Sequence, residues 1–181
     1  VDLFVEKTKE LVFGDPLDLK TDVGPVNNPK VLETTMALIE DARKKGGKFL
    51  AGGNNTHGLY IEPTIIDEVT DDMAITQEVT MGPVTAVKTF ENIDEAVEMA
   101  NSTRFGFQFG AFTSGLANAY HLAENIKAGS IYINEATSCW DEMSPFGGVK
   151  RSGVGRMLSD WIFSELSEVK MIMFDLSKVK K

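Results

Sequence analysis

Cys139 is the single cysteine of the chain and the obvious candidate nucleophile, because a thiolate attacks carbonyl carbon strongly once an electropositive setting has lowered its pKa. Its neighbours are Ser138, Trp140, Asp141 and Glu142, and adjacent carboxylates act in the opposite direction. The local sequence therefore favours an ordinary loop cysteine over a catalytic one. His57 lies in a turn rich in Gly and Asn, and His121 lies on the face of an expected helix. Neither has the spacing of a metal-binding pair, and both read as solvated side chains. The stretch Gly147-Gly148-Val149-Lys150-Arg151-Ser152-Gly153-Val154-Gly155 invites a phosphate-binding reading. A P-loop needs Lys and then Ser or Thr directly after its last glycine, whereas Val154 follows Gly153; Rossmann spacing fails as well. A tight loop packed against other backbone is the better reading. The acid pairs Asp71-Asp72 and Asp141-Glu142 are adjacent in sequence, so on regular structure their side chains point apart. They fit a helix start and a solvated loop better than a general acid/base couple.

The elements that position these residues belong to an α/β chain. Apolar residues at helical spacing over 2–12 end at the breaker Gly14-Asp15-Pro16. Asn28 offers an N-cap and Pro29 a first helical position for a stripe of Val31, Thr35, Leu38, Ile39 and Ala42, which stops at Gly46-Gly47. Strands are expected at 48–50, 59–69, 83–90, 107–113, 130–134 and 168–176, and helices at 93–100, 116–126 and 156–166. Such alternation predicts βαβ units and a largely parallel sheet flanked by helices.

With 181 residues, 43% of them hydrophobic and 25% charged, the chain can build one real core. Its net charge of -9 argues against nucleic acid or an anionic membrane as partner. One cysteine excludes an intrachain disulfide and a cysteine-rich zinc site, and fits a reducing, cytoplasmic setting. No stretch approaches the roughly 18 apolar residues of a membrane span. The start at Val1, with no initiating Met, fits a piece of something longer as well as a processed terminus.

The order of local motifs goes further than any one of them. Gly14-Asp15-Pro16-Leu17-Asp18 is followed by Thr21-Asp22-Val23-Gly24-Pro25-Val26, Gly46-Gly47-Lys48-Phe49-Leu50 and Glu62-Pro63-Thr64-Ile65. Then come Gly82-Pro83-Val84, Ala128-Gly129-Ser130-Ile131-Tyr132-Ile133-Asn134, Pro145-Phe146-Gly147-Gly148-Val149-Lys150 and Ser152-Gly153-Val154-Gly155-Arg156. Each is weak alone, but the ordered set, over nearly the whole chain, resembles the aldehyde dehydrogenase superfamily in the part that follows its catalytic cysteine. The resemblance implies a three-part enzyme with a cofactor domain, a catalytic α/β domain and a β extension used in oligomers. In that family a cysteine thiolate attacks the aldehyde, NAD or NADP takes the hydride, and a glutamate helps water to hydrolyse the thioester. A side-chain amide and a backbone N–H stabilise the oxyanion. By this resemblance all of these groups lie upstream of Val1. Residues 1–166 then correspond to the C-terminal part of the catalytic domain, and 167–181 to an oligomerisation strand and tail.

The same resemblance implies site residues. Phe146 matches the aromatic wall of the aldehyde site, and the loop from Glu135 to Ser144 matches the substrate-tunnel lining, which brings Trp140 and Cys139 toward substrate. Before Gly82-Pro83 the family usually has Glu-Glu, any residue, then Phe, and its second glutamate binds the nicotinamide ribose. Here the run is Glu78-Val79-Thr80-Met81, so Val79 stands in the ribose position and Met81 in the aromatic one. Val79 cannot hydrogen-bond a diol, which puts the grip on NAD or NADP in question. The expected function is the C-terminal portion of a dehydrogenase that oxidises a small aldehyde, such as a lactaldehyde, glyceraldehyde or succinate semialdehyde, to its acid. The expected partners are the aldehyde, further copies in a homo-oligomer, or the rest of the enzyme. The alternative is an inactive oligomerisation or interaction module.

Overall fold

The computed structural model describes residues 1–139 and 141–178, and they form two compact units, Val1–Glu91 and Asn92–Lys181.

In the first unit α1 (Asp2–Glu10) precedes the longer α2 (Pro29–Lys44). Asn28 caps α2, its Oδ1 accepting from Val31 N at 3.0 Å, and Pro29 occupies the first turn, where a missing N–H costs nothing. Thr35, Ile39 and Ala42 recur at i, i+4 and i+7 and form the buried face. Gly46 takes φ 91°, a conformation that a side chain would disfavour, and turns the chain into β1 (Lys48–Ala51). β2 (Asn55–His57) and β3 (Tyr60–Ile61) make a small antiparallel pair. β4 (Thr64–Asp67) is central, antiparallel to β1 and parallel to β5 (Val84–Ala86). Thr64, Ile65 and Ile66 are consecutive and all buried, as a strand covered on both faces requires. The core gathers Ala42, Ile66, Val69, Met73 and Ile75, with Ile39 and Ile61 in an adjoining cluster.

The second unit begins with α3 (Ile93–Asn101), capped by Asn92, whose Oδ1 accepts from Glu95 N at 3.0 Å. β6 (Phe105–Gly106) pairs antiparallel with β9 (Val149–Lys150). β7 (Gln108–Ala111), α4 (Leu116–Asn125) and β8 (Ser130–Ile133) form a βαβ unit, with Gln108 opposite Ser130 and Ala111 opposite Ile133 in parallel register. α3 packs on α4, where His121 Nε2 lies 2.9 Å from Asp94 Oδ1. Gly129 lets two backbones meet, since a Cβ there would stand 1.7 Å from Gly147 O. A short α5 (Trp161–Glu165) follows.

The α/β class is borne out, with three departures in detail. Strand pairing is mixed, not largely parallel: β1 with β4, β2 with β3 and β6 with β9 are antiparallel, and for β2 and β3 the tight turn between them allows nothing else. The helix expected over 156–166 shrinks to α5: Met157 is bonded both ways to Phe146, and Leu158 and Ser159 take φ 61° and 48°, which no helix tolerates. The strand expected over 168–176 has no paired neighbour among the described residues and lies exposed, with Val169 at 104% and Phe174 at 79% of full exposure. A strand exists only through its ladder partner.

Candidate functional site

β8 delivers the chain to the loop that the sequence singled out. At its end Asn134 takes φ 59° and clamps the neighbouring strand: its Oδ1 accepts from Thr113 N at 2.7 Å and its Nδ2 donates to Thr113 O at 2.9 Å. Asn134 thus orders the strand end. Beyond it, Gln108 on β7 holds the loop from below, donating through Nε2 to Tyr132 Oη at 3.2 Å and to Thr137 O at 3.0 Å. Under the loop lies a cavity of about 60 Å³ lined by Ser130, Tyr132, Cys139, Asp141, Ser144, Pro145, Phe146 and Leu158. That is room for a few water-sized groups.

Phe146 is fixed on two sides. Its backbone exchanges hydrogen bonds with Met157, both at 2.8 Å, and its ring meets Phe107 edge-on with centroids 5.0 Å apart. Leu158, at φ 61°, completes the wall in a conformation that costs an ordinary residue about 1 kcal/mol or more. The neighbouring bonds impose it, since Ser159 N donates to Glu142 O at 3.2 Å while Met157 is tied to Phe146. A wider cleft of about 350 Å³ lies along the glycine loop, lined by Phe107, Phe146, Gly153, Arg156 and Glu165 among others. Arg156 Nη1 donates to Gly148 O and Gly155 O, so the glycine loop is packed by its own arginine, in agreement with the tight-loop reading.

Cys139 is exposed, and its N donates to Ala136 O at 3.0 Å in a turn. Asp141 holds both carboxylate oxygens in place: Ser144 Oγ donates to Oδ2 at 2.7 Å and Met143 N to Oδ1 at 2.9 Å. These bonds to the charged form hold its carboxyl below the usual carboxylate range. Trp140, the other residue expected near substrate, lies outside the described residues. The sequence reading named Cys139, Phe146 and the loop that ends at Ser144, which line one cavity, and missed Ser130, Tyr132 and Leu158. Ser130 and Tyr132 alternate on a strand and so share a face, a signal that the sequence did contain.

The second candidate group lies in the first unit. A 3-10 turn at Ala74–Thr76 is anchored to α2 through Asp41, whose Oδ2 accepts from Ala74 N at 2.7 Å and whose Oδ1 pairs with Lys45 at 2.9 Å. The bond from Ala74 N, and then Lys45, hold the Asp41 carboxyl below its ordinary value. Glu78 N donates back to Ala74 O at 2.9 Å, and Gly82 then abuts Thr35, so the short run between them is pinned at both ends. On it Val79 is 56% and Met81 70% exposed, beside the exposed Glu78. Glu78 suits a ribose hydroxyl, whereas Val79 offers apolar surface and no acceptor. The residues therefore fit a nicotinamide cofactor only in part. His57 stacks on Tyr60 at 4.7 Å, and no group of three metal-ligating side chains occurs among the described residues. No described helix is long and apolar enough to cross a membrane.

The model of the aldehyde dehydrogenase family matches residues 1–172. Retinaldehyde dehydrogenase 3 of Homo sapiens is 38% identical over 174 residues, covering 95% of this chain and 34% of that protein. Aldehyde dehydrogenase 21 of Physcomitrella patens, solved with its reaction product succinate, superposes with a TM-score of 0.90 at 30% identity, over 98% of this chain and 37% of that one. An aldehyde dehydrogenase of Bacillus cereus solved as its NAD+ complex gives a TM-score of 0.88 at 32% identity, over 93% and 35%. The chain spans about one third of the length of these relatives. With a family match that runs through nearly all of it and a fold shared along its length, the chain belongs to the aldehyde dehydrogenase family.

Proposed function

We propose that these residues supply one wall of the aldehyde site, and a segment beside the cofactor, in a dehydrogenase that oxidises a small aldehyde to its acid. The observation that supports this reading is the cavity under the Glu135–Ser144 loop, whose wall holds Phe146, the residue that by resemblance matches the aromatic wall of the aldehyde site. NAD or NADP would supply the hydride acceptor, with the run of Glu78, Val79 and Met81 beside its ribose and Val79 at the position that the resemblance gives to the ribose contact. Cys139 is not proposed as the nucleophile. It stands exposed, and the charged residues nearest to it in sequence, Asp141 and Glu142, are both acidic. The attacking thiolate is proposed to lie outside these residues.

The test is NAD(P)H formation by the complete protein with a panel of short aldehydes and either cofactor. Turnover of at least one aldehyde is expected, and none is expected from the 181 residues alone. Absence of turnover in the complete protein would sink the proposal. Activity of the 181-residue chain that disappears on removing Cys139 would overturn the placement of the nucleophile.

A second reading is favoured by the exposed apolar run from Val169 to Leu176. In that reading the chain pairs through this segment with another subunit, with or without catalysis.

A further inference from the structure

The loop that roofs the cavity carries Glu135, Asp141 and Glu142 and has no basic residue from Glu135 to Ser144. Of the three carboxylates, Asp141 lines the cavity, together with Tyr132, Cys139, Ser144 and Phe146. It is not free to swing away, because Ser144 Oγ and Met143 N each hold one of its oxygens, at 2.7 and 2.9 Å. The same two bonds favour the ionised form, so the charge is present at neutral pH. None of the described residues lining this cavity is Lys, Arg or His. A substrate carrying its own carboxylate would meet a fixed like charge and no counter-charge on this wall. The hydroxyls of Ser130, Tyr132 and Ser144, and the acceptor oxygens of Asp141, instead suit a neutral chain bearing hydroxyl groups.

We propose that this cavity selects short, neutral, hydroxyl-bearing aldehydes and rejects carboxylate-bearing ones, with Asp141 as the residue that sets the discrimination. The inference rests on the assignment of the cavity to the aldehyde. It divides the small polar aldehydes that the sequence left open, favouring glyceraldehyde-like substrates over succinate semialdehyde.

The experiment measures kcat/KM of the complete protein for glyceraldehyde and for succinate semialdehyde, in the wild type and in Asp141→Asn and Asp141→Arg. The wild type prefers glyceraldehyde. Asp141→Asn shifts the ratio of the two specificity constants about tenfold toward the anion, mainly through KM, and Asp141→Arg shifts it further, as removal and then reversal of a nearby charge demand. Added salt narrows the wild-type preference, because part of the interaction is exposed to solvent. A wild type that prefers succinate semialdehyde, or a ratio that both substitutions leave unmoved, overturns the inference while leaving the proposed function standing. Turnover of no aldehyde at all overturns the function and this inference together.

Discussion

Val79 shows how one side chain limits a binding site whose backbone is otherwise well prepared. The run between Glu78 and Gly82 is pinned at both ends, and Val79 is 56% exposed on it, so a longer polar side chain there meets no steric obstacle. If this segment faces the nicotinamide ribose, Val79→Glu adds a charge-assisted hydrogen bond to a diol, an interaction of about 1.5–3 kcal/mol. The expected result is a cofactor Kd at least about tenfold lower for the complete protein, read by titration of NADH fluorescence. An unchanged Kd would mean that position 79 does not face the ribose. At this scale the sequence was legible at Phe146, which a motif names and which lines the cavity. It was silent on Leu158, whose place in the cavity wall depends on a left-handed backbone imposed by hydrogen bonds from its neighbours to residues 12 and 16 positions before it, Phe146 and Glu142.

Among the elements, the tie between α2 and the 3-10 turn runs through one carboxylate. The Asp41 pKa is lowered in the folded protein from an ordinary value of 3.8, so the group adds stability at pH values above that and loses it as the pH falls through the folded value. Stability should therefore decline as the pH falls from about 5 through the lowered folded value, and Asp41→Asn should flatten that decline, as followed by denaturant unfolding at each pH. An equally steep decline in the variant would exclude Asp41 as a source. The junction of β8 with the glycine loop is bound by a steric limit instead. A Cβ at position 129 would stand 1.7 Å from Gly147 O and 2.8 Å from its carbonyl carbon, so Gly129→Ala must push two backbone segments apart. The expected cost is about 1–3 kcal/mol of unfolding free energy, and a neutral result would show that the loop yields easily. Element boundaries were readable wherever local chemistry sets them. Asn28 and Pro29 start α2, and Asn92 starts α3, through bonds within three residues of each cap. The helix expected over 156–166 failed because its first residues are held by distant partners, Gly148 through Arg156 and Phe146 through Met157, and helical periodicity carries no information about those.

For the molecule as a whole, the segment from Val169 to Leu176 poses the largest unsolved burial. Met171, Ile172, Met173 and Phe174 are consecutive and between 66% and 79% exposed, so an extended chain would present apolar side chains on both of its faces. A strand with one polar face can sit at the surface of a sheet, but one that is apolar on both faces is stable only when paired and covered on both sides. No strand among the described residues pairs with it, and water is a poor substitute for either kind of contact. The segment should therefore recruit a sheet edge from another copy or from a further polypeptide segment. Sedimentation velocity over a wide concentration range should show association of the chain. Ile172→Pro, which removes one N–H from any ladder and fixes φ, should weaken that association more than Ile172→Ala does, because only the former breaks backbone pairing. Equal effects of the two substitutions would mean that the segment binds through side-chain burial alone, and a monomer at every concentration would mean that it has no partner among copies of this chain.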